Sequence, residues 1–95
     1  MISINSVVRR KPDLISSDLD GETVMMSIAQ GHCYALDVIG GRIWEILETP
    51  RRVESIVTIL LDEFDCDEET CRRDTIDFLN ELQVNRIVEE VDAPE

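Results

Sequence analysis

Few residues in this chain have side chains able to do chemistry. His32 is the single imidazole, and it stands beside Cys33 in a segment with the composition of a strand. Adjacent strand side chains point to opposite faces, so these two cannot act side by side as base and nucleophile. No third group is visible to orient the histidine, and a partly exposed strand histidine without a chemical task is the preferred reading. Cys66 and Cys71 join a turn to a helix without the paired Cys or His ligands of a zinc site, so a turn thiol and a buried helix thiol explain them better. The run Asp62-Glu63-Phe64-Asp65-Cys66-Asp67-Glu68-Glu69 lacks the sixth-position glycine and alternating oxygen ligands of a calcium loop. It reads as a solvated surface with helix-capping duty, and its charge could steer a basic partner. The sequence therefore predicts no catalytic residue, no metal and no cofactor.

The elements that would carry these residues fall into two halves that change character at Asp37. Leu14 to Leu19 and Glu22 to Ala29 read as strands joined by Asp20-Gly21, a strong hairpin signal. Gln30-Gly31 then leads to a short third strand from His32 to Leu36, giving a three-stranded antiparallel meander. Asp37 is the expected N-cap of a first helix, with Ile39, Ile43, Ile46 and Leu47 on one apolar face and an end near Thr49-Pro50. Gly40 and Gly41 weaken that helix by about 1 kcal/mol each against alanine, which suggests close approach of another backbone, although a poor first turn explains them equally well.

A second helix follows from Val53, with Ile56, Val57, Leu60, Leu61 and Phe64 at helical spacing. Asp67 is the N-cap of a third, with Glu68 and Glu69 in its first turn, where the macrodipole favours negative charge. Its apolar stripe is Cys71, Thr75, Phe78, Leu79 and Leu82, and it ends near Val84-Asn85. Ile87 to Val91 is either a short extended stretch or the fraying end of that helix. The fold class is α+β and winged helix-turn-helix-like, a three-stranded antiparallel sheet followed by three helices. One domain covers residues 1–95, with a core at about 14–88 flanked by a flexible N-terminal arm and a C-terminal tail; Ala93-Pro94-Glu95 is expected to be disordered. Arg9-Arg10-Lys11, the one cationic cluster, is read as part of the solvated arm.

Charge decides between the function classes open to such a fold. The chain has 95 residues, with nine Lys plus Arg against twenty-one Asp plus Glu, for a net charge of −12. Its 28 Leu, Ile and Val residues exclude a disordered acidic tail. Glu68 to Leu82 would be the recognition helix of a DNA reader, yet it carries five acids against Arg72 and Arg73. That sign repels phosphates, so nucleic acid and anionic membranes are not expected partners, and a winged-helix transcriptional regulator is a disfavoured alternative. With no secretory signal, no long apolar run and three cysteines in no framework spacing, the chain is expected to be cytoplasmic, with reduced thiols.

One feature of the meander offers a function. Cys33-Tyr34-Ala35-Leu36 has a sheet neighbour on one side only, so an extended peptide could pair with its outer edge. Tyr34 and Leu36 should then face the helices. Two bland readings compete: these side chains are simply core and the short edge needs no partner, or an acidic homodimer interface hides it.

The ordered series Tyr34-Ala35-Leu36-Asp37, Gly40, Ile43-Trp44, Leu47, Val53, Ile56, Leu60, Asp74, Phe78-Leu79 and Leu82 resembles the PqqD-like family of precursor-peptide recognition elements. The likeness covers roughly residues 14–88. It implies a non-catalytic chaperone that binds the leader of a ribosomally made precursor as an added strand. Cys33, Tyr34, Ala35 and Leu36 would supply the edge, and Thr75, Phe78, Leu79 and Leu82 would shape the groove with them. Discrete members of this length are similar to those of lasso-peptide biosynthesis, whose partners are a cysteine-protease-like leader peptidase and an ATP-dependent cyclase. A chaperone of pyrroloquinoline quinone or another modified-peptide pathway is the alternative. The chain departs from the family pattern at Arg52, where a Thr usually precedes the second helix and Thr49-Pro50 is left as an earlier cap. It departs again at Arg86, where a Gly usually follows the third helix.

Overall fold

The computed structural model describes residues 1–12, 14–19, 22–28 and 31–91. The meander consists of β2 (Leu14–Leu19), β3 (Glu22–Ser27) and β4 (His32–Leu36), all antiparallel in the order β2-β3-β4. Ser16 opposes Met25, which opposes Tyr34, and Thr23 opposes Leu36. This register puts Met25 and Leu36 on the buried face while Ile15, Met26 and Cys33 share the outer one. The expected turns at Asp20-Gly21 and Gln30, and the tail at Ala93-Pro94-Glu95, lie outside the described residues.

Three helices follow, as the periodicity predicts: α1 (Val38–Ile46), α2 (Val53–Glu63) and α3 (Glu68–Val84). Asp37 caps α1, its Oδ1 accepting from the Gly40 N–H at 2.7 Å, and Asp67 caps α3, accepting from the Thr70 N–H at 3.0 Å. The core gathers Ile43 and Trp44 of α1 with Leu47 at its C-cap, Val53, Ile56 and Leu60 of α2, and Leu79 and Leu82 of α3 around Met25 and Leu36. Gly41 meets the Thr23 side chain of β3, whose Oγ1 would lie 2.8 Å from an added Cβ, so close approach explains this glycine.

The N-terminal segment is not the solvated arm expected from the sequence. Residues expected to form a free arm instead form β1 (Val7–Arg10), the central strand of a second antiparallel sheet between β5 (Arg51–Arg52) and β6 (Val88–Val91). Ile2, Val7 and Val8 are buried. The cationic cluster is likewise pinned. Arg9 Nε donates to Glu89 at 2.6 Å, across the pair Arg9↔Glu89. Arg10 donates to the Trp44 carbonyl and stacks its guanidinium 4.1 Å from the indole centroid. The Lys11 N–H reaches the Ile87 carbonyl. A four-residue strand shows too little periodicity to be read alone, and its partner lies some 80 residues away.

The same N-terminal segment explains Arg52. This residue occupies the N-cap position of α2 without a side-chain cap hydrogen bond. The carbonyls of Ser6 and Ile4 instead accept from the N–H groups of Val53 at 2.9 Å and Glu54 at 3.1 Å. Donors left orphaned in a first helical turn are thus satisfied by distant backbone, and Thr49-Pro50 is not the cap. At the other end of the helical region, the Arg86 N–H bonds the Gln83 carbonyl and the Ile87 N–H bonds the Leu82 carbonyl, the pairing of a Schellman cap. Arg86 sits at the left-handed position of that cap with φ 61°, which is why glycine suits this place. Helix α3 therefore stops at Val84, and the chain after Ile87 is strand rather than fraying helix.

Candidate functional site

Among the described residues, nothing pairs with the outer side of β4. The N-terminal strand, which could have capped that edge, is consumed by the second sheet. Beside the end of β4 lies an apolar cavity of about 360 Å³. Ala35 and Leu36 form one wall, and Ile39, Gly40 and Ile43 of α1 form the next. Leu60 and Phe64 come from the end of α2, and Cys66 from the following turn. Helix α3 contributes Thr70, Cys71, Asp74, Thr75 and Phe78.

The walls are held by specific pairs. Arg42 of α1 grips Glu63 of α2 through two hydrogen bonds of 2.7 Å, fixing two sides of the cavity relative to each other. Hydrogen bonding to Arg42 holds the Glu63 carboxyl below its usual range, while the N–H of Thr70 does the same for Asp67 at the cap of α3. Burial, then a hydrogen bond to Cys66, pushes the Cys71 thiol up. Gly40 is close-packed: an added Cβ would lie 3.3 Å from Phe78 Cζ and 3.4 Å from Leu36 Cβ.

The residues singled out from sequence separate into three groups. Ala35, Leu36, Thr75 and Phe78 meet around the cavity. Cys33 and Tyr34 lie farther back on β4, Cys33 exposed and Tyr34 half-buried with its hydroxyl 3.4 Å from His32 Nδ1. Leu79 and Leu82, at 0% and 4% exposure, belong to the core beneath the groove. The α1 wall was missed. Ile39 has the helical phase of the core residues, yet it is 45% exposed and lines the cavity. The glycine pair beside it, unusual in a first helical turn, was the available signal. Among the described residues no group of three or more His, Cys, Asp or Glu side chains is arranged to hold a metal. No helix among them is long and apolar enough to cross a membrane.

An open strand edge running into an apolar cleft is the geometry of strand addition: backbone groups of a guest complete the sheet while alternate side chains fill the cleft. Comparison with known proteins agrees with this architecture. The solved structure described as "TbiB1 in Complex with the TbiA(beta) Leader Peptide" is 31% identical, with a TM-score of 0.80, over 92% of this chain and 99% of that one. A second, "Lasso peptide synthetase B1 complexed with the leader peptide", shares the fold at 16% identity, with a TM-score of 0.72, over 86% of this chain and 96% of that one. No curated protein matches the chain. The model of the family described as "Coenzyme PQQ synthesis protein D (PqqD)" matches residues 22–88, most of the length, and the chain belongs to that family.

Proposed function

We propose that this protein binds the leader segment of a ribosomally made precursor peptide and delivers it to a leader peptidase in lasso-peptide biosynthesis, with no catalysis of its own. The guest adds as a strand along Cys33 to Leu36 and seats apolar side chains between β4, α1 and α3. The observation that carries this reading is the unpaired edge of β4 opening directly onto the apolar cavity. The two leader-peptide complexes among its structural relatives favour the lasso pathway over quinone biosynthesis. The test is titration of the protein into a fluorescently labelled synthetic TbiA(beta) leader peptide, read by anisotropy. Saturable binding that an unlabelled copy competes away is expected, with no retardation of duplex DNA at low salt. A peptide that stays free up to the protein's solubility limit contradicts the proposal.

A further inference from the structure

The cavity is apolar in its walls but not neutral at its mouth. Its lining includes two carboxylates, Asp37 and Asp74, and no Lys or Arg. Asp37 is committed, since its Oδ1 caps α1 through the Gly40 N–H. Asp74 has no such duty. Among the described residues its ion pair is with its neighbour Arg73, at 3.6 Å, with both side chains about two-thirds exposed at 66% and 65%. A contact of that length and exposure contributes little. Asp74 lies on the cavity side of α3, one turn before Phe78 and one turn after Cys71, so a largely exposed carboxylate belongs to the cavity's lining.

The surroundings strengthen this field. Phe64 and Cys66 line the cavity within the run Asp62 to Glu69, which holds six acids in eight positions. Two arginines of the elements around the cavity are paired with other acids: Arg42 of α1 with Glu63 and Glu45, and Arg72 of α3 with Glu68. A guest bringing an acid to this mouth meets like charge, and one bringing a cation meets Asp74. Resting on the leader-binding reading above, we infer that the groove selects leaders carrying a Lys or Arg next to the apolar residue seated in the cavity, and that Asp74 reads that cation. Asp74 is a specificity determinant here; the apolar walls supply the bulk of the attraction.

The test is a positional scan of the TbiA(beta) leader peptide, each residue replaced in turn by Lys and by Glu, titrated against the wild-type protein, Asp74→Asn and Asp77→Asn. Asp77 is exposed on the same helix but is outside the cavity lining, so it controls for the general negative charge of the chain. At one peptide position Lys should bind about three- to fivefold more tightly than Glu, as expected for a partly solvated rim pair. That ratio should fall towards one in Asp74→Asn, persist in Asp77→Asn, and shrink at 1 M salt, where the screening length is about 3 Å. A ratio that is the same in Asp74→Asn and wild type overturns the inference while leaving leader binding intact. Failure of every peptide to bind the folded wild-type protein overturns both.

Discussion

The two sheets of this molecule use their strands differently. In the second sheet, β1 is enclosed between β5 and β6, crossed by the Arg9–Glu89 pair, and tied to α2 by carbonyls that replace a missing cap. In the meander, β4 ends the sheet, its outer backbone unpaired among the described residues, beside an apolar cleft. Exposed edges invite association and are usually blunted by charge, proline or a covering segment. Here the N-terminal strand fills the centre of one sheet, and the other ends at β4 beside the cleft. The lesson is a division of labour: the sheet joining the two ends of the chain provides stability, and the meander provides recognition.

The division can be tested by damaging each side. Removal of residues 1–10 strips Ile2, Val7 and Val8 from the core, each worth about 1.5–3 kcal/mol of burial. Their sum approaches the roughly 5–15 kcal/mol that holds a small domain together, so cooperative thermal unfolding should disappear from calorimetry. Proline substitutions in β4 act on the other side. Alternate residues of an edge strand direct their N–H inward to β3 or outward, so one of Tyr34→Pro and Ala35→Pro should keep its circular dichroism spectrum and lose leader affinity by about tenfold, or ~1.4 kcal/mol. If both variants unfold, or the folded one binds normally, the guest does not pair at this edge.

The α1 wall gives a smaller effect. Ile39→Ala should weaken leader binding about fivefold, near 1 kcal/mol, yet change stability by less than about 0.5 kcal/mol, because the side chain is half exposed in the free protein. The smallest change belongs to the closed side. Arg86→Gly relieves a left-handed backbone strain of about 1–2 kcal/mol at some cost in unfolded-chain entropy, so the unfolding free energy from denaturant titration should rise by about 0.5–1 kcal/mol with leader affinity unchanged.

How much of this was legible in the sequence follows the same division. The meander and all three helices could be read because their signals are local: an Asp-Gly between two strand-like runs, Asp at two N-caps, and apolar residues at helical spacing. Of the second sheet only Ile87 to Val91 could be read, and only as one of two alternatives. Val7-Val8 is too short to show a period, and the cap on α2 comes from the Ser6 and Ile4 carbonyls, which leave no trace in side-chain chemistry. The end of α3 near Val84-Asn85 was readable, but Arg86 hid its left-handed cap because geometry, not residue type, marks that motif. The groove was legible in part. Periodicity gives the face on which Ile39 and Leu79 lie, but it cannot say that Leu79 has neighbours on all sides while Ile39 borders a cleft.

The most direct test of the central claim is amide hydrogen exchange, residue by residue, with and without the TbiA(beta) leader peptide. New protection should appear at alternate amides of His32 to Leu36 and at residues lining the cavity, with exchange along Val88 to Val91 unchanged. Protection that appears at β6 and leaves β4 untouched, or binding with no change at either edge, would contradict the account.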